Sequence, residues 1–141
     1  NAPFVAQERG IKVVESKIKQ SEDYANLITI KVKTSAETNV ISGTIFGNNL
    51  PRIIRINNFY LEAVPEGHNL LINNLDTPGV IGSITSTLGQ HGINISRMQV
   101  GEEKEKQQNV IFLATDRTVP DEVIEELRTL KNVFSMRRIE L

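Results

Sequence analysis

From Asn69 to Leu141 the chain alternates two hydrophobic periods in a fixed order, and this alternation restricts its fold more than any other feature. Asn69–Asn74 reads as an apolar strand. Gly79–His91 places Val80, Ile81, Ile84 and Leu88 at helical spacing, with Gly92 suited to the stop. Ile93–Val100 reads as a second strand and Gly101–Gln108 as a polar hairpin loop. Asn109–Asp116, carrying Val110, Ile111, Phe112 and Leu113, reads as a third strand. Pro120–Leu130 predicts a helix: Pro suits its start, Asp121 and Glu122 favour its dipole, and Val123, Ile124, Leu127 and Leu130 share one side. Val133–Leu141 predicts a last strand. The order βαββαβ, with two right-handed crossovers on a four-stranded antiparallel sheet, is the ferredoxin-like arrangement.

Residues 1–65 read differently, as a strand-rich α+β segment that divides from the rest near Pro65-Glu66-Gly67. Asn1–Gly10 predicts a short helix, and Ile11–Ser16 a strand. Ser21-Glu22-Asp23 predicts a loop. Leu27–Lys33 alternates Ile28, Ile30 and Val32 against Thr29, Lys31 and Lys33, the pattern of a half-buried strand. Val40–Phe46 predicts another, with Gly43 marking a bulge or a close approach. Arg52–Ile56 and Phe59–Val64 flank Asn57-Asn58, a two-residue hairpin turn. This is a thin set of elements for a complete domain, and suits half of one.

Composition narrows the functions available. Sixteen basic and 17 acidic residues leave a net charge of −1, without the basic field that holds a phosphate backbone. A base-stacking sheet would need aromatics, and the third strand has only Phe112. There is no Cys, which removes disulfides, thiolate catalysis and thiolate metal sites and fits a reducing, cytoplasmic setting. Two histidines, His68 and His91, do not make a His-rich metal site. His91 suits the dipole of a helix end, and His68 reads as a solvated linker residue. No apolar run approaches the roughly 18–20 residues that span a bilayer. The chain opens on Asn rather than Met, which suggests processing or excision from something longer.

A small-molecule sensor is the remaining reading of the βαββαβ half, and the stretch INNLDTPGVIG, Ile72–Gly82, carries it. Backbone N–H groups of Gly79, Val80 and Ile81 at a helix start favour a carboxylate. Asp76 suits an ammonium, and Asn74 and Asn94 can each donate and accept. A free α-amino acid carries both charges. The structural alternative is that Thr77 or Asp76 caps the helix and Asn74 ends a strand.

These residues carry a resemblance. LLINNLDTPGVIGSITSTLGQHGINISRMQV, Leu70–Val100, resembles the opening of an ACT domain through its D-x-P-G-V loop, the small Gly82 and the G-I-N-I run. The whole chain is similar to the C-terminal region of the long-form D-3-phosphoglycerate dehydrogenase family through NAPFVAQERGIKVVES, SGTIFG, PRIIRIN, LEAVPEGHNLLINN and RRIEL. The resemblance implies a partial intervening domain over 1–65 and an ACT domain over 66–141. It implies a parent enzyme that oxidises 3-phosphoglycerate with NAD at the first step of L-serine synthesis. It also implies a homo-oligomer through side-by-side ACT domains that binds L-serine at the interface for feedback inhibition. Its serine contacts map to Asn74 and Asp76 of one subunit and Asn94 of the next. Asn74 departs from the family, where an aromatic or His is frequent.

The intervening domain of some members binds an anion, which points to Arg52, with Arg55 and Lys33 assisting; the alternative is a solvated strand face. No G-x-G-x-x-G and no His–Glu catalytic pair is present, so these residues imply no NAD binding, catalysis or metal of their own; the catalytic domains of the parent chain are the expected partner. Two alternatives stand beside this reading: an assembly-only ACT module with a degenerate site, and the regulatory beta chain of L-serine dehydratase.

Overall fold

The computed structural model describes residues 1–17, 24–103 and 106–141. The elements are α1 (Ala2–Glu8), β1 (Ile28–Lys33), β2 (Thr38–Phe46), β3 (Leu50–Ile56), β4 (Phe59–Ala63), β5 (His68–Leu75), α2 (Val80–Gln90), β6 (Ile95–Glu103), β7 (Gln108–Thr115), α3 (Asp121–Arg128) and β8 (Val133–Glu140). They form two four-stranded antiparallel sheets, ordered β1-β2-β3-β4 and β6-β7-β5-β8. The second order is that of the ferredoxin-like α+β arrangement read from the sequence. The first strand pairs with the third and fourth, because each helical crossover must skip a position.

The helices cover one face of the second sheet. Leu70 and Ile72 of β5, Ile111 and Leu113 of β7 and Met136 of β8 meet Val80, Ile84 and Leu88 of α2 and Val123, Ile124 and Leu127 of α3. These are the periodic positions of both helices, and Leu70, Leu88, Leu113 and Leu127 are fully enclosed. The opposite face is covered as well. Leu61 and Ala63 of β4 pack on Phe112, with Ile53, Ile56, Leu71 and Ile139 around them. Arg97 bonds Glu66 at 2.8 Å and Asn58 bonds Glu103 at 3.3 Å across the same junction.

Gly101 makes that junction close. A Cβ there would lie 2.9 Å from the Tyr60 carbonyl oxygen and 3.0 Å from Phe59 Cβ. The sequence reading assigned Gly101 to a loop, but β6 runs through it to Glu103, and its role is to admit β4. Gly43 behaves as expected: a register shift lies at Ser42/Gly43, and a Cβ would approach the Arg52 carbonyl at 3.2 Å. Asn57 takes φ 53° in the β3–β4 turn, which suits Asn.

Other expectations are corrected. Ile11–Ser16 is not a strand; Val13 and Val14 are exposed and no neighbouring strand pairs with them among the described residues. β1 is exposed along its whole length rather than half-buried, because none of the described residues covers its inward face. Its Ile28 and Ile30, with Ile41 and Ile45 of β2, form an uncovered apolar face. His68 is not in a linker; it begins β5, where its side chain stays partly exposed and pairs with Glu140 and Thr118. The loop read at Ser21–Asp23 lies outside the described residues.

Gly101→Ala should destabilise the chain by about 1–3 kcal/mol, because the overlapping neighbours are backbone and Cβ atoms that cannot rotate away. Urea unfolding checks this; an unchanged midpoint would mean that β4 is not seated on β6 in solution.

Candidate functional site

β5 ends at Leu75 and α2 begins at Val80, and the connection between them forms one wall of a cleft of about 440 Å³. Asn74, Asp76, Thr77, Pro78, Gly79, Ile81 and Asn109 line it. The loop is held by the adjacent strands and turns. Leu75 N–H donates to the Asn132 carbonyl at 2.9 Å and Asp76 N–H to the Gln107 carbonyl at 2.7 Å. Asn132 Nδ2 donates to Thr77 Oγ1 at 3.0 Å. Gly79 takes φ 90°, which a side chain would make unfavourable, and turns the chain into the helix.

The capping alternative does not hold. No side chain caps α2. Asp76 Oδ1 instead accepts from Asn109 Nδ2 at 3.0 Å, and Thr77 is engaged with Asn132. The first-turn N–H groups of α2 therefore receive no side-chain carboxylate or hydroxyl; Val80 N–H donates to the Thr77 carbonyl at 3.4 Å, and Gly79 and Ile81 line the cleft at the positive end of the helix dipole. A zwitterion fits this arrangement, its carboxylate toward the helix start and its ammonium toward Asp76.

The structure gathers Asn74, Asp76, Gly79 and Ile81 around one cleft; Val80, between the last two, turns its side chain into the core. Asn94 is elsewhere. It precedes β6 beside the far end of β7, where Ile95 faces Thr115, whereas Asp76 sits beside Gln107 and Asn109. The six residue steps of β7 between them span roughly 20 Å. Asn94 is fixed there by Asp116, whose Oδ1 accepts from Asn94 N–H at 3.0 Å while its own N–H donates to the Asn94 carbonyl. The Arg117 guanidinium bonded to Asp116, helped by the Asn94 N–H, holds that carboxyl below its ordinary range, and Arg117 is raised in turn.

The three basic residues considered for an anion are spread along the first sheet. Lys33 faces Thr38 on β2, while Arg52 faces Thr44 at the other end. Arg52 bonds the Pro51 carbonyl, and Arg55 bonds the Asn57 carbonyl and lies 5.5 Å over the Tyr60 ring. His91 caps the end of α2 and bonds Glu126 at 2.7 Å. Among the described residues, no three His, Asp or Glu side chains are grouped to hold a metal ion. No helix among the described residues is long and apolar enough to cross a membrane.

Asn109 is the cleft-lining residue that sequence reasoning missed. Its signal was its place at the start of the third strand, opposite Asn74, where the inward row should have been apolar.

Comparison with known families assigns both parts of the chain. Residues 1–57 match the D-3-phosphoglycerate dehydrogenase intervening domain, and residues 68–132 match the ACT domain. D-3-phosphoglycerate dehydrogenase of Methanocaldococcus jannaschii is 39% identical over 141 residues, all of this chain and 26% of that protein. The Bacillus subtilis and Archaeoglobus fulgidus enzymes of the same name are 37% and 36% identical, again over all of this chain and 27% of theirs. The chain thus spans about a quarter of the length of these curated relatives. It belongs to the D-3-phosphoglycerate dehydrogenase family, of which it carries an intervening-domain segment followed by an ACT domain.

Proposed function

We propose that this chain is the regulatory region of an NAD-dependent D-3-phosphoglycerate dehydrogenase and binds L-serine between paired ACT domains as a feedback signal. The observation that carries the reading is the uncapped start of α2 beside the Asp76 carboxylate. The pair offers complementary charge to both ends of one amino acid. Oxidation of 3-phosphoglycerate with NAD would fall to other parts of such an enzyme, since the chain has no G-x-G-x-x-G. The intervening-domain match favours this family over the dehydratase beta chain.

Pairing supplies what one copy lacks. β6 is an edge strand, exposed over most of its length. Two β6 edges joined antiparallel about a two-fold axis bring the N-terminal end of one toward the C-terminal end of the other. Asn94 of the neighbour then approaches the end of the sheet that holds Asp76, and can bond the serine hydroxyl. The uncovered face of Ile28, Ile30, Ile41 and Ile45 is where we place the remaining domains of the enzyme, since an apolar patch of this kind marks a contact surface. Hydrogen exchange across residues 28–45 should be slower in a full-length relative than in this chain; equal rates would refute that placement.

Calorimetry of the 141-residue chain, under conditions where sedimentation shows a dimer, should give a stereoselective heat with millimolar L-serine and none with D-serine. Asp76→Ala should weaken binding by about 10–100-fold, the value of a charge-assisted hydrogen bond. Stereoselective heat missing from a confirmed dimer would instead identify an assembly-only module.

Complementation tests the shared site. Asp76→Ala and Asn94→Ala chains should each show only the weakened binding when alone. Mixed in equal amounts, they should recover about a quarter of the wild-type sites at full affinity, because half the dimers are heterodimers and each holds one intact Asp76–Asn94 pair. No recovery on mixing would place Asn94 outside the site.

A further inference from the structure

The floor of the cleft contains two buried amides whose oxygens have no partner. Asn74 and Asn109 face each other directly across β5 and β7, and are 1% and 3% exposed. Asn74 Nδ2 donates to the Leu75 carbonyl at 2.9 Å and Asn109 Nδ2 to Asp76 Oδ1 at 3.0 Å. A carbonyl and a carboxylate can only accept, so both amides are oriented with nitrogen toward these partners. The oxygens, Asn74 Oδ1 and Asn109 Oδ1, are left buried and without a donor; among the described residues Asn69 Oδ1, away from the cleft, shares that state.

Stability alone does not favour this arrangement. Asn74 continues the inward row of Leu70 and Ile72, and Asn109 continues that of Ile111 and Leu113. Leu is close to Asn in shape and would extend the core without stranding an acceptor. Unmet buried acceptors in a native protein call for an explanation, and a ligand site is one. Here they lie beside the one carboxylate of the cleft.

We propose that Asn109 is a positioning residue for Asp76, and that Asn109, Asn74 and Asp76 together select a ligand bearing a primary ammonium group. The inference rests on the reading of the cleft as an amino-acid site, and names which amino acids it admits. Asn109 Nδ2 occupies Asp76 Oδ1 and thereby directs the other carboxylate oxygen. A primary ammonium has three N–H donors. One meets Asp76, and the two amide oxygens, enclosed in this structure, must turn outward to accept the others. A secondary ammonium lacks one donor and puts carbon against an amide oxygen. A hydroxy acid has no cation for Asp76.

The test titrates the 141-residue chain calorimetrically with the proteinogenic amino acids, N-methyl-L-serine and glycerate. A primary amino acid should bind, N-methyl-L-serine should bind at least tenfold more weakly, and proline and glycerate should give no heat. Asn109→Leu should melt at or above the wild-type temperature yet bind at least tenfold more weakly. Asn109→Asp, which sets a second carboxylate against Asp76, should weaken binding similarly. Asn109→Thr, which keeps a donor hydroxyl, should retain more affinity than either.

Equal binding of L-serine and N-methyl-L-serine would overturn the proposal. So would an Asn109→Leu affinity within twofold of wild type. Should that variant fail to fold, equal affinities for the Thr and Asp variants would overturn it instead. Binding of a different primary amino acid but not L-serine would remove the serine reading and support this one. Binding of none would remove both.

Discussion

Strand β7 must be covered on both faces, and most of the structure follows from that. It lies in the interior of its sheet and is buried from Asn109 to Thr115. Ile111 and Leu113 turn to the helices, while Val110, Phe112 and Ala114 turn away from them. A helix-free face with these residues would be a wide apolar surface in water. β4 covers it, and Gly101 on β6 allows β4 to come within contact distance. The two sheets therefore share a core at β4, rather than forming two independent units joined by a linker.

The same strand also forms part of the cleft. Its first residues, Gln108 and Asn109, lie beside the end of β5, and Asn109 reaches the carboxylate of the β5–α2 loop. A ligand drawn to Asp76 would thus act on β7, whose other face meets β4 through Phe112. Gly101, opposite Val110, ties the neighbouring strand to the same contact. Regulation requires two states that the ligand distinguishes, and a cleft and an inter-sheet contact on one strand provide a short physical connection between them.

The legible parts of the fold were those that local chemistry specifies. α2 and α3 lie where the 3.6-residue period placed them, and Pro120, Asp121 and Glu122 mark the start of α3 as expected. Asn57-Asn58 and Gly43 were readable because a turn and a close approach each need particular residue types. Ile11–Ser16 misled because an apolar run has strand character only if another strand pairs with it. β1 misled in a related way: its alternation is real, but an alternating edge strand is half-buried only when something covers the inward face. In the site, Asp76, Gly79 and Asn74 were readable from the loop itself. Asn109 was hidden because strand register, not sequence distance, sets it beside Asp76.

By itself the sequence determined the βαββαβ order, the helix start at the Asp76–Gly79 loop and the carboxylate beside that start. Each depends on residues near one another in the chain. Tertiary structure alone decided that Asp76 is held by Asn109 rather than capping α2, that Asn94 lies at the opposite end of its own sheet, and that Gly101 receives β4. Those are contacts between residues far apart in the chain. They are set by strand register and by the need to cover both faces of a buried sheet, and no local pattern encodes either.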